Sequence, residues 1–202
     1  MIGCCICQLS YSHNIMLLPL YKGSKNMKKL SMEELNRLSV DAFKKSKKTS
    51  IIVVLDNVRS LHNVGSFFRT GDAFQIEKIY LCGITGTPPN REIHKTALGA
   101  TESIEWEYAK AALDFLPQLK TEGYAILSIE QTDKSIPLQE FEIDKEGKYV
   151  LIFGNEVYGV SEEVIQFCDE AIEIPQFGTK HSFNVSVTGS IVLWDFFRRI
   201  HL

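Results

Sequence analysis

Three stretches of the chain set polar or charged side chains beside glycines directly after short apolar runs, where ligands of open α/β sheets bind. The first is Asp56-Asn-Val-Arg-Ser-Leu-His-Asn63-Val-Gly65-Ser-Phe-Phe-Arg69-Thr-Gly71. Asn63 can both donate and accept hydrogen bonds, and Arg69 brings a permanent cation with a planar fork of donors. Gly65 permits a close approach of backbone. Taken alone, these residues are equally a polar helix cap and an arginine paired with a surface acid.

The second stretch is Phe153-Gly154-Asn-Glu156-Val-Tyr-Gly159-Val-Ser161-Glu-Glu. A triphosphate-binding loop would need Lys-Ser/Thr after its second glycine, and Val160-Ser161 stands there instead. No G-x-G-x-x-G dinucleotide pattern occurs either. Glu156 is the informative residue, because a carboxylate among Phe153, Gly154 and Val157 needs a partner wherever it is buried. Ser161 with Glu162 and Glu163 is also an ordinary helix start. The third stretch, Ile174-Pro175-Gln-Phe-Gly178-Thr-Lys-His-Ser182-Phe183-Asn184-Val185-Ser186, leads into a final apolar helix.

The elements that must position these stretches follow from periodicity. Short runs rich in apolar residues at 51–55, 78–82, 103–108, 124–129, 149–153 and 170–174 read as strands, most of them covered on both faces. Helical patterns lie between them, from Val64 to Phe74, Ala109 to Lys120, Ser161 to Phe167, and Val187 to the C-terminus. Strand and helix alternate, which predicts an α/β domain with a mainly parallel sheet and helices on both faces. Upstream, Ser31-Met-Glu-Glu34 is a capping box that predicts a basic helix running into Lys44, Lys45, Lys47 and Lys48. Those lysines are candidate phosphate contacts, or else a solvated helix end complementing its dipole. The last helix is apolar almost all round, with Trp194, Phe196 and Phe197 in excess of what one buried face needs, so it predicts a subunit interface.

Composition narrows the class. With 202 residues, 45% hydrophobic and 23% charged, the chain can bury a core of its own and is neither a disordered polyelectrolyte nor a fibre. The net charge of -3 conceals an asymmetry: residues 22–48 hold nine Lys or Arg against three acids, and the remainder of the chain is acidic. Five cysteines without CxxC spacing indicate neither a disulfide framework nor a zinc site, and no metal is expected. No apolar run has the length of a membrane span, and residues 1–21 lack the features of a secretory signal, so a soluble cytoplasmic protein is expected. Residues 1–26 read as a poorly structured extension, 27–48 as the basic helix and 49–202 as the main domain.

Together, in order, Asn-x-Gly-x3-Arg-Thr, Phe-Gly-x-Glu-x2-Gly-Val-Ser and Ile-Pro-x2-Gly-x3-Ser-Phe-Asn-Val-Ser resemble the SpoU/TrmH family of SPOUT RNA 2'-O-ribose methyltransferases over about Ile51 to Arg199. The segment His94-Lys-Thr-Ala-Leu-Gly-Ala100 resembles the family's middle region. The resemblance implies a C-terminal deep trefoil knot, S-adenosylmethionine as methyl donor, a homodimer, and a 2'-O-methylated ribose as product. It assigns Arg69, Asn63, Glu156, Ser182 and Asn184 to catalysis. It assigns donor contacts to Gly154, Ile174 and Phe183, with walls from the loop after Ile129. Val160 and Phe183 stand where the family more often has leucine, which changes pocket shape more than chemistry. A guanidinium is a poor proton acceptor near neutrality, so Arg69 suits a role as donor and positive charge better than as base.

The expected substrate is RNA, tRNA ahead of ribosomal RNA, and DNA is excluded by its lack of the 2'-hydroxyl. Two other readings stand beside it: a catalytically silent RNA-binding module of the same fold, and a doubly wound nucleotide enzyme.

Overall fold

The computed structural model describes residues 28–31 and 33–202. The expected extension at 1–26, with Cys4, Cys5, Cys7 and His13, lies outside the described residues. Residues 28–37 and 38–202 form separate compact units.

The chain from Leu38 carries helix α1 (Val40–Lys45), strand β1 (Thr49–Asp56), α2 (Leu61–Ala73), β2 (Ile76–Cys82), α3 (Arg91–Ala97), α4 (Ala100–Ser103) and β3 (Glu105–Ala109). A 3₁₀ turn at Ala112–Asp114 follows, then α5 (Leu116–Thr121), β4 (Tyr124–Ile129), β5 (Ile136–Pro137), β6 (Lys148–Phe153), α6 (Glu162–Phe167), β7 (Glu170–Glu173) and α7 (Val185–His201).

All seven strands join one sheet in the order β3-β2-β1-β6-β4-β7-β5, and every pairing is parallel. The alternation of side chains along β1 and β6 divides the core in two. Ile51, Val53, Leu55, Tyr149, Leu151 and Phe153 face a layer containing Phe67, Ile93, Val192 and Phe196, from α2, α3 and α7. Ile52, Val54, Val150 and Ile152 face Leu116, Leu119 and Val164, from α5 and α6. Helices therefore cover both faces, as the continuous apolar runs require.

Close packing depends on glycine at two helix contacts. A Cβ on Gly65 would lie 2.1 Å from Thr96 Oγ1 and 2.3 Å from the Ile93 carbonyl, so α2 and α3 touch through backbone. A Cβ on Gly189 would lie 2.2 Å from the Phe67 ring, so the backbone of α7 seats against that side chain of α2. The glycine that the sequence marks for close approach thus serves a helix contact.

Several elements differ from the sequence reading. The capping-box bonds at Ser31 and Glu34 do form, with the Ser31 N–H donating to Glu34 at 2.7 Å and the Glu34 N–H to Ser31 Oγ at 3.3 Å. They nucleate only a turn, because Asn36 adopts φ 46, a left-handed conformation that ends helices. The expected basic helix is instead the six-residue α1, capped by Ser39. Lys44, Lys45 and Lys47 are exposed, whereas the Lys48 ammonium donates to the Phe43 carbonyl and sits 4.0 Å from the Phe43 ring centroid. The expected helix from Ala109 to Lys120 begins only at Leu116, where Pro117 fits the first turn. Helix α3 carries too few buried side chains, Ile93 and Ala97, to show as a periodic pattern. Phe196 is wholly buried in the core, so it does not belong to an exposed surplus on α7. That surplus is Val187 and Trp194, with half-buried Ile191 between them.

Gly65→Ala should destabilise the fold by about 1–3 kcal/mol, the usual cost of overpacking. Gly178→Ala, where a Cβ meets nothing within 4 Å, should be near neutral. Urea denaturation of both variants checks the contrast.

Candidate active site

The three marked loops all leave carboxyl ends of strands near the middle of the sheet: β1 for the first, its neighbour β6 for the second, and β7, one strand beyond β4, for the third. Glu156 joins the first two. Its Oε1 accepts from the Ser60 N–H and from Asn63 Nδ2, and its Oε2 accepts from the Arg59 N–H, all at 2.9 Å. The residue is exposed, yet its carboxylate is fully engaged. Burial pushes its pKa up, but the N–H donors of Arg59, Ser60 and its own backbone, with Asn63, outweigh burial and hold it below the ordinary 4.5.

Asn63 extends the chain of contacts to the third loop. It is buried in the first turn of α2, behind the N-cap Ser60, and its Oδ1 accepts from Asn184 Nδ2 at 3.2 Å. Asn184 in turn caps α7, its Oδ1 accepting from the N–H groups of Ser186 and Val187. Thr70 and Ser190 meet at 3.2 Å one layer deeper along the α2–α7 contact. Glu156, Asn63 and Asn184 are therefore one relay of hydrogen bonds across three loops.

Two further carboxylates, which the sequence reading missed, hold the second loop from other sides. Buried Asp56 accepts from the Ser161 N–H at 3.1 Å and hydroxyl at 2.9 Å, so Ser161 serves the strand end and makes no side-chain cap to α6. Glu130 accepts from the Val160 N–H at 3.0 Å. Gly159 has φ +71, and a Cβ there would lie 2.2 Å from Glu130 Oε2. Asp56 as the last residue of a buried strand was the one available signal.

Beneath this relay lies a cavity of about 520 Å³. All four expected donor contacts, Ile129, Gly154, Ile174 and Phe183, line it, as do Glu156, Ser182 and Asn184. Its walls combine apolar side chains with the backbone of three loops, and Glu130 adds a carboxylate. That mixture suits a ligand with a flat heterocycle and polar ends. Asn63 stands behind the cavity and does not line it. Arg69 is also apart: six residues beyond Asn63 places it about 120° around α2. It is exposed and makes no hydrogen bond or ion pair among the described residues, so Glu156 and Arg69 are not partners. No cluster of His, Cys, Asp and Glu with metal-binding geometry occurs among the described residues. Burial pushes the thiols of Cys82 and Cys168 up, to about 12 and about 11, which removes them as nucleophiles.

Residues 50–194 match the SpoU rRNA Methylase family. The chain belongs to that family. Among similar SpoU-family proteins, a tRNA (guanosine(18)-2'-O)-methyltransferase of Aquifex aeolicus is 31% identical over 149 residues, covering 72% of this chain and 67% of that one. A mouse tRNA (guanosine(18)-2'-O)-methyltransferase is 29% identical over 74% of this chain, which spans only 9% of its length. Of solved structures, the A. aeolicus TrmH/SpoU tRNA modifying enzyme superimposes with a TM-score of 0.70 at 29% identity, covering 79% of each chain. The AdoMet-bound rRNA methyltransferase of Sinorhizobium meliloti gives 0.69 at 28% identity, over 82% of this chain and 62% of that one. The all-parallel sheet is thus that of the SPOUT methyltransferases.

Because Glu156 is held ionised by the fold, the stability difference between wild type and Glu156→Gln should be full at neutral pH. It should shrink as pH falls through the lowered carboxylate pKa. Urea denaturation from pH 7 downward measures it, and a pH-independent difference would show that the charge contributes nothing.

Proposed function

We propose that the chain is an S-adenosylmethionine-dependent RNA 2'-O-ribose methyltransferase, with tRNA as the favoured substrate. The observation that carries this reading is the cavity beyond β4, β6 and β7, walled in part by the second and third of the motif-bearing loops, within the stretch that matches the family. Its apolar walls at Ile129, Ile174 and Phe183 fit an adenine, and loop backbone with Glu130 offers partners for the polar ends. The bound sulfonium supplies a methyl group to an attacking ribose oxygen, and the residues present must align the two. Names of the relatives support tRNA, and the rRNA methyltransferase of S. meliloti supports ribosomal RNA as the second substrate class. Exposed Lys44, Lys45 and Lys47 add phosphate contacts that carry affinity without sequence information.

The working unit in this reading is a homodimer through α7. Val187, Ile191 and Trp194 form a stripe at helical spacing, with Phe74 and Phe197 continuing it. Arg69, unpaired among the described residues and outside the cavity, acts on the ribose or its phosphate as donor and positive charge.

Tritiated S-adenosylmethionine offered with separate tRNA and ribosomal RNA pools, followed by mapping of 2'-O-methyl sites, tests the activity. Absence of both donor binding and transfer would reject it. Arg69→Ala should keep fold and donor affinity while single-turnover transfer falls by about 10²–10³. Near-normal transfer would remove Arg69 from the mechanism. Trp194→Glu should sediment as monomer or aggregate, and a wild-type monomer at micromolar concentration would refute the dimer.

A further inference from the structure

The rim of the cavity carries large aromatic side chains that nothing among the described residues covers. Tyr158 of the second loop is 86% exposed and lines the opening, and Phe177 of the third loop is 98% exposed beside the lining residue Gln176. Phe183, also in the lining, is 43% exposed. Residues 177–184 are all exposed, and between Ile174 and Phe183 the third loop makes no backbone–backbone hydrogen bond. Among the described residues Phe177 therefore packs against almost nothing. Between the two phenylalanines stand Lys180 and His181, both exposed and without an ion pair among the described residues.

Aromatic faces interleaved with cations are what single-stranded nucleic acid requires: bases stack on the rings, and ammonium groups meet the intervening phosphates. A ribose that reaches the cavity must leave its helical stack, and its displaced base or the neighbouring base then needs a new face. We propose that Tyr158 and Phe177 are the stacking platform for an unpaired RNA segment at the cavity mouth, with Lys180 on its phosphate. This proposal rests on the methyltransferase reading and says which part of the RNA the protein grips.

The test uses the full-length chain and a stem–loop RNA with 2-aminopurine in its loop, whose fluorescence reports stacking. Affinity for S-adenosylhomocysteine is measured alongside by calorimetry. Phe177→Ala should weaken the RNA by roughly 5- to 150-fold and abolish the change in fluorescence, with donor affinity and sedimentation unchanged. Phe177→Trp should restore both RNA readouts, and Phe177→Leu should not, since leucine is apolar without a π-face. If leucine substitutes fully, or if Phe177→Ala converts a dimer to a monomer, the rim is a contact between copies and the proposal falls. If the variant binds RNA like wild type while wild type still methylates, the platform falls and the methyltransferase reading stands. If wild type binds neither the RNA nor S-adenosylhomocysteine, both fall.

Discussion

One carboxylate holds the site together. Glu156 accepts two backbone N–H groups from the loop after β1 and one side-chain N–H from Asn63, and each donor lies about 95 residues away in sequence. Charge-assisted bonds of this kind are stronger than neutral ones, and here they replace the water that the N–H groups at the start of α2 would otherwise need. The same anion complements the amino end of the α2 dipole. Losing it would leave the second loop tied to the first only by Asn155 Nδ2 on the Asn57 carbonyl and by Ser161 on Asp56, and would loosen the wall of the cavity.

The rest of the site is arranged around that tie. Asn63 spends its donor on Glu156 and its acceptor on Asn184, so it transmits position from the second loop to the cap of α7. Asp56 and Glu130 restrain the other end of the second loop, which lets Gly154 and Gly159 approach each other closely enough that no side chain fits between them. Rigid walls and unpaired chemistry are thereby separated. Glu156, Asn184 and Glu130 of the cavity are engaged by other loops, whereas among the described residues Arg69, Lys180 and the rim aromatics keep their donors and faces free.

The sequence carried the parts of this picture that depend on burial period and on motif order. Strands β1, β4 and β6 were legible because both faces are covered and their runs are apolar, broken only by buried Ser128 in β4. The residues that the resemblance of the loops assigned to the donor, Ile129, Gly154, Ile174 and Phe183, all line one cavity, whereas Asn63 and Arg69 of the first loop do not. Strand β5 was not, since two residues including a proline carry no pattern. The capping box at Ser31 misled about helix length because a cap starts a helix without setting its end, and Asn36 ends this one within a turn. Glu130 escaped notice because its partners are backbone N–H groups, which no side-chain pattern records, and Asp56 because its partner Ser161 lies 105 residues away.

A double-mutant cycle tests the relay most directly. Glu156→Ala and Asn184→Ala do not touch each other's side chains, so independent sites would give additive losses of S-adenosylmethionine affinity. Coupling through Asn63 predicts that the double variant loses less than the sum, by at least about 0.5 kcal/mol. Strict additivity of the two losses would contradict the account of three loops acting as one hydrogen-bonded unit.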